Sequence, residues 1–366
     1  MFHPFHRRTE APLGPSETSP NAIGDPMGSA DGRRPDLDAA PAHPATRATR
    51  PALGLALGGG AARGFAHIGI LRVLEKNGLS PGVVTGTSIG AVVGGLWACG
   101  KLDALEDWAL GLNKRRVLGM LDLALGGAGL IGGKKLVDLM RQNVGDLPIE
   151  DLPVVFGAIA TELGTGHEIW LTRGDFVEAL RASYALPGIF TPVNVGGRWL
   201  MDGALVNPVP VSPARALGAR LVLAVNLNSE VFGRGTVVHD HGGVVGQVAD
   251  VAIAGKRRSL MSRLSPERLR RQFFAAPADD GPRGLSTVMI DAFNITQDRI
   301  ARSRLAGDPP DLTLAPKLGG IGLFDFQRAR EAIAAGAEAA ERGLEDIAAA
   351  VAALKPPSSP PGPNRG

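Results

Sequence analysis

The sequence predicts an α/β protein with a mostly parallel central sheet, and three observations carry that reading. The apolar run Leu53–Leu57 (LGLAL) ends abruptly in three glycines, as a buried strand does where it enters a tight loop. Residues 64–77 follow with Phe65, Ile68, Leu71 and Leu74 at helical spacing and Gly78 placed to cap the end. Residues 83–85 then lead through GTSIG into AVVGGLWACG, a second strand, a sharp turn and a buried helix. Strand-to-helix units in succession favour a parallel sheet.

No charged residue lies between Lys76 and Lys101, so hydropathy alone offers a membrane span of the required ~20 residues. Pro81 and the glycines and hydroxyls around it break such a span, and a short strand followed by a core helix accounts for them. Gly90-x-x-x-Gly94 lets that helix lie close against the sheet. Beyond it, residues 102–112 and 134–143 read as helices joined by a glycine-rich loop that faces the site. Residues 154–161 and Glu168–Leu171 read as strands, and 175–184 as a helix halted by Leu-Pro-Gly. Residues 193–201 alternate as a hairpin that terminates at Asp202; 211–217 and Leu221–Val225 add a helix and an apolar strand. Residues 244–254 and 285–304 have helical periodicity, and 326–354 read as one alanine-rich terminal helix.

Composition sets the domain limits. Residues 1–51 mix Pro, Gly, Ser, Asp and Arg with almost no aliphatic side chains, so burial cannot offset the entropy of ordering them, and they read as a disordered tail. Residues 52–228 form the expected catalytic core, 229–354 a mostly helical part that completes the domain, and 355–366 a second proline-rich tail. The tail lacks the apolar core of a signal peptide, and the single cysteine, Cys99, excludes an internal disulfide; both fit a cytoplasmic location. A net charge of +3 without basic residues interleaved with aromatics argues against nucleic acid as partner. From Lys256 to Arg271 seven basic residues concentrate, either as a solvated helical face or as a peripheral contact with an anionic inner membrane.

Chemistry concentrates in two loops. Gly86-Thr87-Ser88-Ile89-Gly90 is a G-x-S-x-G pattern between a strand and a helix, the setting of a nucleophile elbow, with Ser88 at the positive end of a helix dipole. Taken alone it also fits a serine N-cap in a glycine-rich turn. Gly58-Gly59-Gly60-Ala61-Ala62-Arg63-Gly64 offers a run of unobstructed backbone N–H groups to an anion, or is a tight turn without ligand. It is no P-loop, since no Lys-Ser or Lys-Thr follows, and a dinucleotide pattern starting at Gly58 meets Arg63 at its last glycine. The same amides suit an oxyanion hole. A serine nucleophile needs a base. His239 and His241 lie at the distance expected for a Ser, Asp, His order but in a glycine-rich loop; Asp202, followed by Gly203-Ala204, ends a strand where a partly desolvated carboxylate can take the proton itself.

In order along the chain, GGGAARG, GTSIG, ASYALPGIFTP (residues 182–192) and DGALVNPVP (residues 202–210) resemble the motif series of bacterial patatin-like phospholipases, over roughly residues 53–225. The resemblance implies a three-layer α/β/α fold and a Ser-Asp dyad of Ser88 and Asp202, with oxyanion amides from Gly59, Gly60 and Ala61 and with Arg63 nearby. Two departures stand out: Ala61 replaces the middle glycine of the G-x-G-x-x-G that ends on Gly64, and Ala204 replaces the glycine after the Asp-Gly pair. The expected function is hydrolysis of lipid esters through an acyl-enzyme, with neither metal nor organic cofactor. A regulatory or membrane-associated protein with little turnover, and a triad esterase based on His239 or His241, are the competing readings.

Overall fold

A computed structural model describes residues 53–120, 129–229 and 285–354 of the chain. Both expected tails, the helix over residues 244–254, the basic stretch from Lys256 to Arg271, and His239 and His241 lie outside these residues.

The chain begins with β1 (Leu53–Leu57), a 3-10 turn over Ala61–Phe65 and α1 (Ala66–Lys76), then β2 (Val83–Thr87), α2 (Ile89–Ala98), α3 (Leu102–Leu110) and α4 (Lys114–Met120). Next come β3 (Gly129–Ile131), α5 (Lys134–Val144), β4 (Val155–Glu162), β5 (Glu168–Leu171), α6 (Phe176–Ser183) and β6 (Gly188–Phe190). A hairpin of β7 (Val193–Val195) and β8 (Arg198–Asp202) leads to α7 (Val211–Ala216) and β9 (Leu221–Val225). After the gap follow α8 (Leu285–Gly307), β10 (Leu312–Leu314), α9 (Ala329–Arg342) and α10 (Leu344–Ala353).

The main sheet has the order β10-β9-β1-β2-β4-β8-β7, and β5 also pairs with β4. From β10 to β4 all neighbours are parallel; β8, β7 and β5 attach antiparallel at one end. Successive strand side chains point to opposite faces. Leu53, Leu55 and Leu57 of β1 and Leu221, Leu223 and Val225 of β9 therefore pack into one core with α1, α2, α6 and α9. Ala56, Val222 and Ala224 pack on the other face with α7 and with Ala301 of α8. Helices thus cover both faces of a buried parallel sheet, the three-layer α/β/α arrangement that the motifs imply.

Glycines let helices pack closely at two places. On α2, a Cβ at Gly94 would lie 2.8 Å from side-chain carbons of both Leu57 and Val84, so this helix rests directly on β1 and β2. At the crossing of α1 and α9, a Cβ on Gly69 would stand 2.0 Å from the Ile333 carbonyl oxygen, and one on Gly336 1.9 Å from that of Ala66.

Element by element the sequence reading holds across the core. The terminal helix differs: it begins as a 3-10 turn over Phe326–Arg328 and divides into α9 and α10 at Gly343, whose backbone faces Leu314. The short elements α4, β3, β6 and β10 were not expected, being brief or set in glycine-rich chain where no period can register.

Candidate active site

Ser88 and Asp202 meet because β2 and β8 share one edge of β4. Thr87 of β2 lies opposite Ile159, and Asp202 of β8 lies opposite Ala160, while β5 takes the other edge across both residues. The ends of β2 and β8 therefore abut, and the residue that follows β2 reaches the last residue of β8. The Ser88 hydroxyl donates to Asp202 Oδ2 at 2.6 Å.

The local sequence makes that turn possible. Ser88 sits at φ 56°, ψ −125°, a left-handed conformation that side chains rarely adopt. Its flanking glycines are required by space: a Cβ on Gly86 would lie 2.4 Å from the Ala91 nitrogen, and one on Gly90 2.1 Å from the Leu57 carbonyl oxygen. Buried hydroxyls then brace the elbow. The Ser88 N–H donates to Ser183 Oγ at 2.9 Å, and Ser183 Oγ donates to the Ile159 carbonyl at 2.6 Å. Thr87 and Thr85 donate to the carbonyls of Asn207 and Pro210, tying β2 to the chain after Asp202.

Asp202 is 1% exposed, and each of its polar groups is engaged. Its N–H donates to the Ala185 carbonyl, its own carbonyl accepts from Thr161 Oγ1, and Oδ1 accepts from the Ala204 N–H at 2.8 Å. A Cβ on Gly203 would stand 2.3 Å from the Ile159 carbonyl oxygen, so glycine is what permits the turn after the carboxylate. Burial pushes the Asp202 carboxyl up to about 7, against the opposing pull of the hydrogen bonds from Ser88 and Ala204. At that value it is about half ionised at pH 7 and increasingly proton-accepting above it, a value poised for a base bonded to a hydroxyl.

The glycine-rich loop arrives from β1 beside this pair, so that a Cβ on Gly59 would lie 3.5 Å from that of Ser88. One expectation about it is corrected. The N–H of Gly59 donates to the Pro208 carbonyl at 3.0 Å, and that of Gly58 to Val225, so neither is free for an oxyanion. The amides of Gly60 and Ala61 carry no such bond among the described residues. The first-turn amide of Ile89 in α2 also lacks an intrahelical partner, a donor that the sequence reading passed over although the residue after an elbow nucleophile commonly supplies one. Ala61 holds φ 48°, the conformation for which glycine is the usual residue, and the methyl of Ala204 faces Gly59 at ordinary packing distance.

Arg63 and His67 serve as struts. Arg63 is buried and donates to the Ile321 carbonyl at 2.8 Å and to Asn228 Oδ1 at 3.0 Å. Burial lowers its pKa, with Asp325 pulling the other way. His67, fully enclosed, donates from Nε2 to the Gly58 carbonyl at 2.8 Å, and burial lowers its pKa to about 4, so it stays neutral. His167 is exposed beside Glu162. Among the described residues, then, Asp202 is the base within reach of Ser88. No group of three or more His, Cys, Asp or Glu suited to a metal ion occurs among them, and no helix there is long and apolar enough to cross a membrane.

Ser88 and Asp202 open into a cavity of about 360 Å³ with almost wholly apolar walls, among them Phe65, Trp108, Phe190, Phe293 and Phe326. α8 and the segment before α9 thus contribute to the site, although both follow the motif-bearing region.

Residues 55–215 match the family model described as patatin-like phospholipase. An uncharacterized NTE family protein of Mycobacterium tuberculosis is 34% identical over 331 residues, an alignment that spans 81% of this chain and 92% of that one. The lysophospholipase nte1 of Emericella nidulans is 31% identical over 183 residues, 49% of this chain and 12% of that much longer protein. Among solved structures, VipD from Legionella pneumophila aligns with a TM-score of 0.39 at 15% identity, over 81% of this chain and 67% of VipD.

Proposed function

Because the chain belongs to the patatin-like phospholipase family, we propose that it hydrolyses carboxylic esters of phospholipids or lysophospholipids, with Ser88 as nucleophile and Asp202 as its base. The observation that carries this reading is the 2.6 Å hydrogen bond from a strained elbow serine to a buried carboxylate. Ionised Asp202 takes the hydroxyl proton as Ser88 Oγ attacks the ester carbonyl carbon. The negative charge that develops on the carbonyl oxygen is met by the amides of Gly60, Ala61 and Ile89 and by the positive end of α2. Collapse of the tetrahedral intermediate breaks the bond to the alcohol, which leaves with the proton held by Asp202. Water then enters, gives a proton to Asp202 and attacks the acyl-serine; the acid departs and Ser88 recovers its proton.

The direct bond between Ser88 and Asp202 favours a dyad that needs no histidine. The test is hydrolysis of a short-chain nitrophenyl ester and of a lysophospholipid by the wild type, Ser88→Ala, Asp202→Asn and the His239→Ala/His241→Ala double variant. A loss of about 10³-fold or more in the first two variants, with the double-histidine variant unaffected, is expected. Abolition by the histidine changes would favour a triad, and an inert wild type would favour the non-catalytic reading.

A further inference from the structure

The cavity beside Ser88 has a direction. Ile89, Val92 and Leu96 line it from α2 at offsets of three and seven residues, so they form one stripe that starts next to Ser88 and runs toward the far end of the helix. On α5, Leu136 and Asn143 mark a second stripe of similar length. At about 1.5 Å per residue, the distance along α2 from Ser88 to Leu96 is about 12 Å. Lys101 and Ala104 continue the wall past the end of α2. Ala104 and Asn143 are solvent-exposed and still line the cavity, so among the described residues the end remote from Ser88 reaches the surface instead of closing.

Resting on the ester-hydrolase reading, we infer that this cavity is an open-ended acyl channel: the acyl chain of the substrate lies along α2 and leaves past Ala104 and Asn143. Its walls are almost wholly apolar, with Lys101, Asn143 and Gln297 among the few polar side chains besides the dyad, so a glycerophosphoryl group drawn inside would lose most of its hydration for few replacement partners. A methylene placed there gains instead, by about fourfold in binding at full burial. An extended chain advances about 1.3 Å per carbon, from C–C bonds of about 1.5 Å, so about nine carbons span the distance to Leu96 and about ten to twelve the way to the rim beyond it. Longer chains project into solvent. Selectivity therefore rises with acyl length up to about dodecanoyl and then levels off, with no upper limit imposed by a floor.

The experiment compares kcat/KM for nitrophenyl esters from butyryl to palmitoyl, kept monomeric, in the wild type and in Leu96→Trp and Ala104→Trp. The expected result is a rise to about dodecanoyl and a plateau, with the palmitoyl-to-butyryl ratio reduced tenfold or more in both variants. Taking the ratio within each variant removes any general loss from poor folding. In parallel, the affinity of Ser88→Ala for octanoate, dodecanoate and palmitate is measured with and without Leu96→Trp. A steep fall of rate beyond octanoyl in the wild type, or a ratio untouched by both tryptophans, overturns the channel. If no ester is hydrolysed but fatty-acid affinity still rises with length and is lost with Leu96→Trp, the channel stands and the hydrolase reading fails.

Discussion

A carboxyl group enclosed by protein, with one hydroxyl and one amide as its donors, holds its proton more firmly than a carboxyl in water, and Asp202 is pushed up to about 7 by this burial. The proposed base must be ionised to work. The kcat/KM of the wild type should therefore climb through pH about 7 and level off above it, a profile that Asp202→Asn removes along with the activity. The same shift has a stability sign. In the folded protein Asp202 binds its proton between about 3.8 and about 7, whereas in the unfolded chain it does not, so its stabilising contribution is complete below that window and lost as pH rises through it. His67 works in reverse: its folded value of about 4 lies below its ordinary 6.5, so stability is lost as pH falls across that interval. In the wild type the two slopes oppose each other between pH about 4 and about 6.5. Asp202→Asn removes the aspartate slope, so its unfolding free energy relative to wild type should rise by roughly 4 kcal/mol between pH 4 and above 7. Urea titrations at stepped pH measure this; parallel curves for the two proteins would contradict it.

At the scale of elements, the site depends on where strands end. β2 and β8 stop against neighbouring residues of β4, and Ser183, from the last turn of α6, bridges the elbow to that strand. Ser183→Ala leaves the Ile159 carbonyl without its donor and the Ser88 amide without its acceptor in a fully buried place. A stability loss of about 1–3 kcal/mol is expected, with a fall in kcat larger than any change in KM, read from thermal unfolding and ester kinetics. Much of this was legible in the sequence. Leu53–Leu57, Val83–Thr87 and Leu221–Val225 are short apolar runs bounded by turn residues, and Asp202 closes an alternating hairpin. Ser183 was not legible as a brace, nor the engaged amide of Gly59, because each depends on a partner distant in sequence, Ile159 or Pro208. Spacing along a chain carries no signal of which carbonyl will arrive from elsewhere.

At the scale of the whole molecule, the matched residues 55–215 do not complete the site by themselves. The Ala62 amide donates to the Leu323 carbonyl, Arg63 to that of Ile321, and Leu323 and Phe326 line the cavity. This later segment is held in place by α9, which meets α1 through Gly69 and Gly336. Gly336→Leu should force the two helices apart, lowering thermal stability by several kcal/mol in the manner of an overpacked core and reducing ester turnover with it, although the residue lies outside the dyad and its loop. Retained activity and unchanged melting would show the crossing to be dispensable. The central claim, a lipid hydrolase that works through Ser88, is tested most directly by acid-quenching the protein with a nitrophenyl ester in the first turnovers and weighing it intact. The wild type should carry one acyl group, on the peptide that contains Ser88, and Ser88→Ala none. Turnover without that adduct, or turnover that survives Ser88→Ala, would contradict that claim.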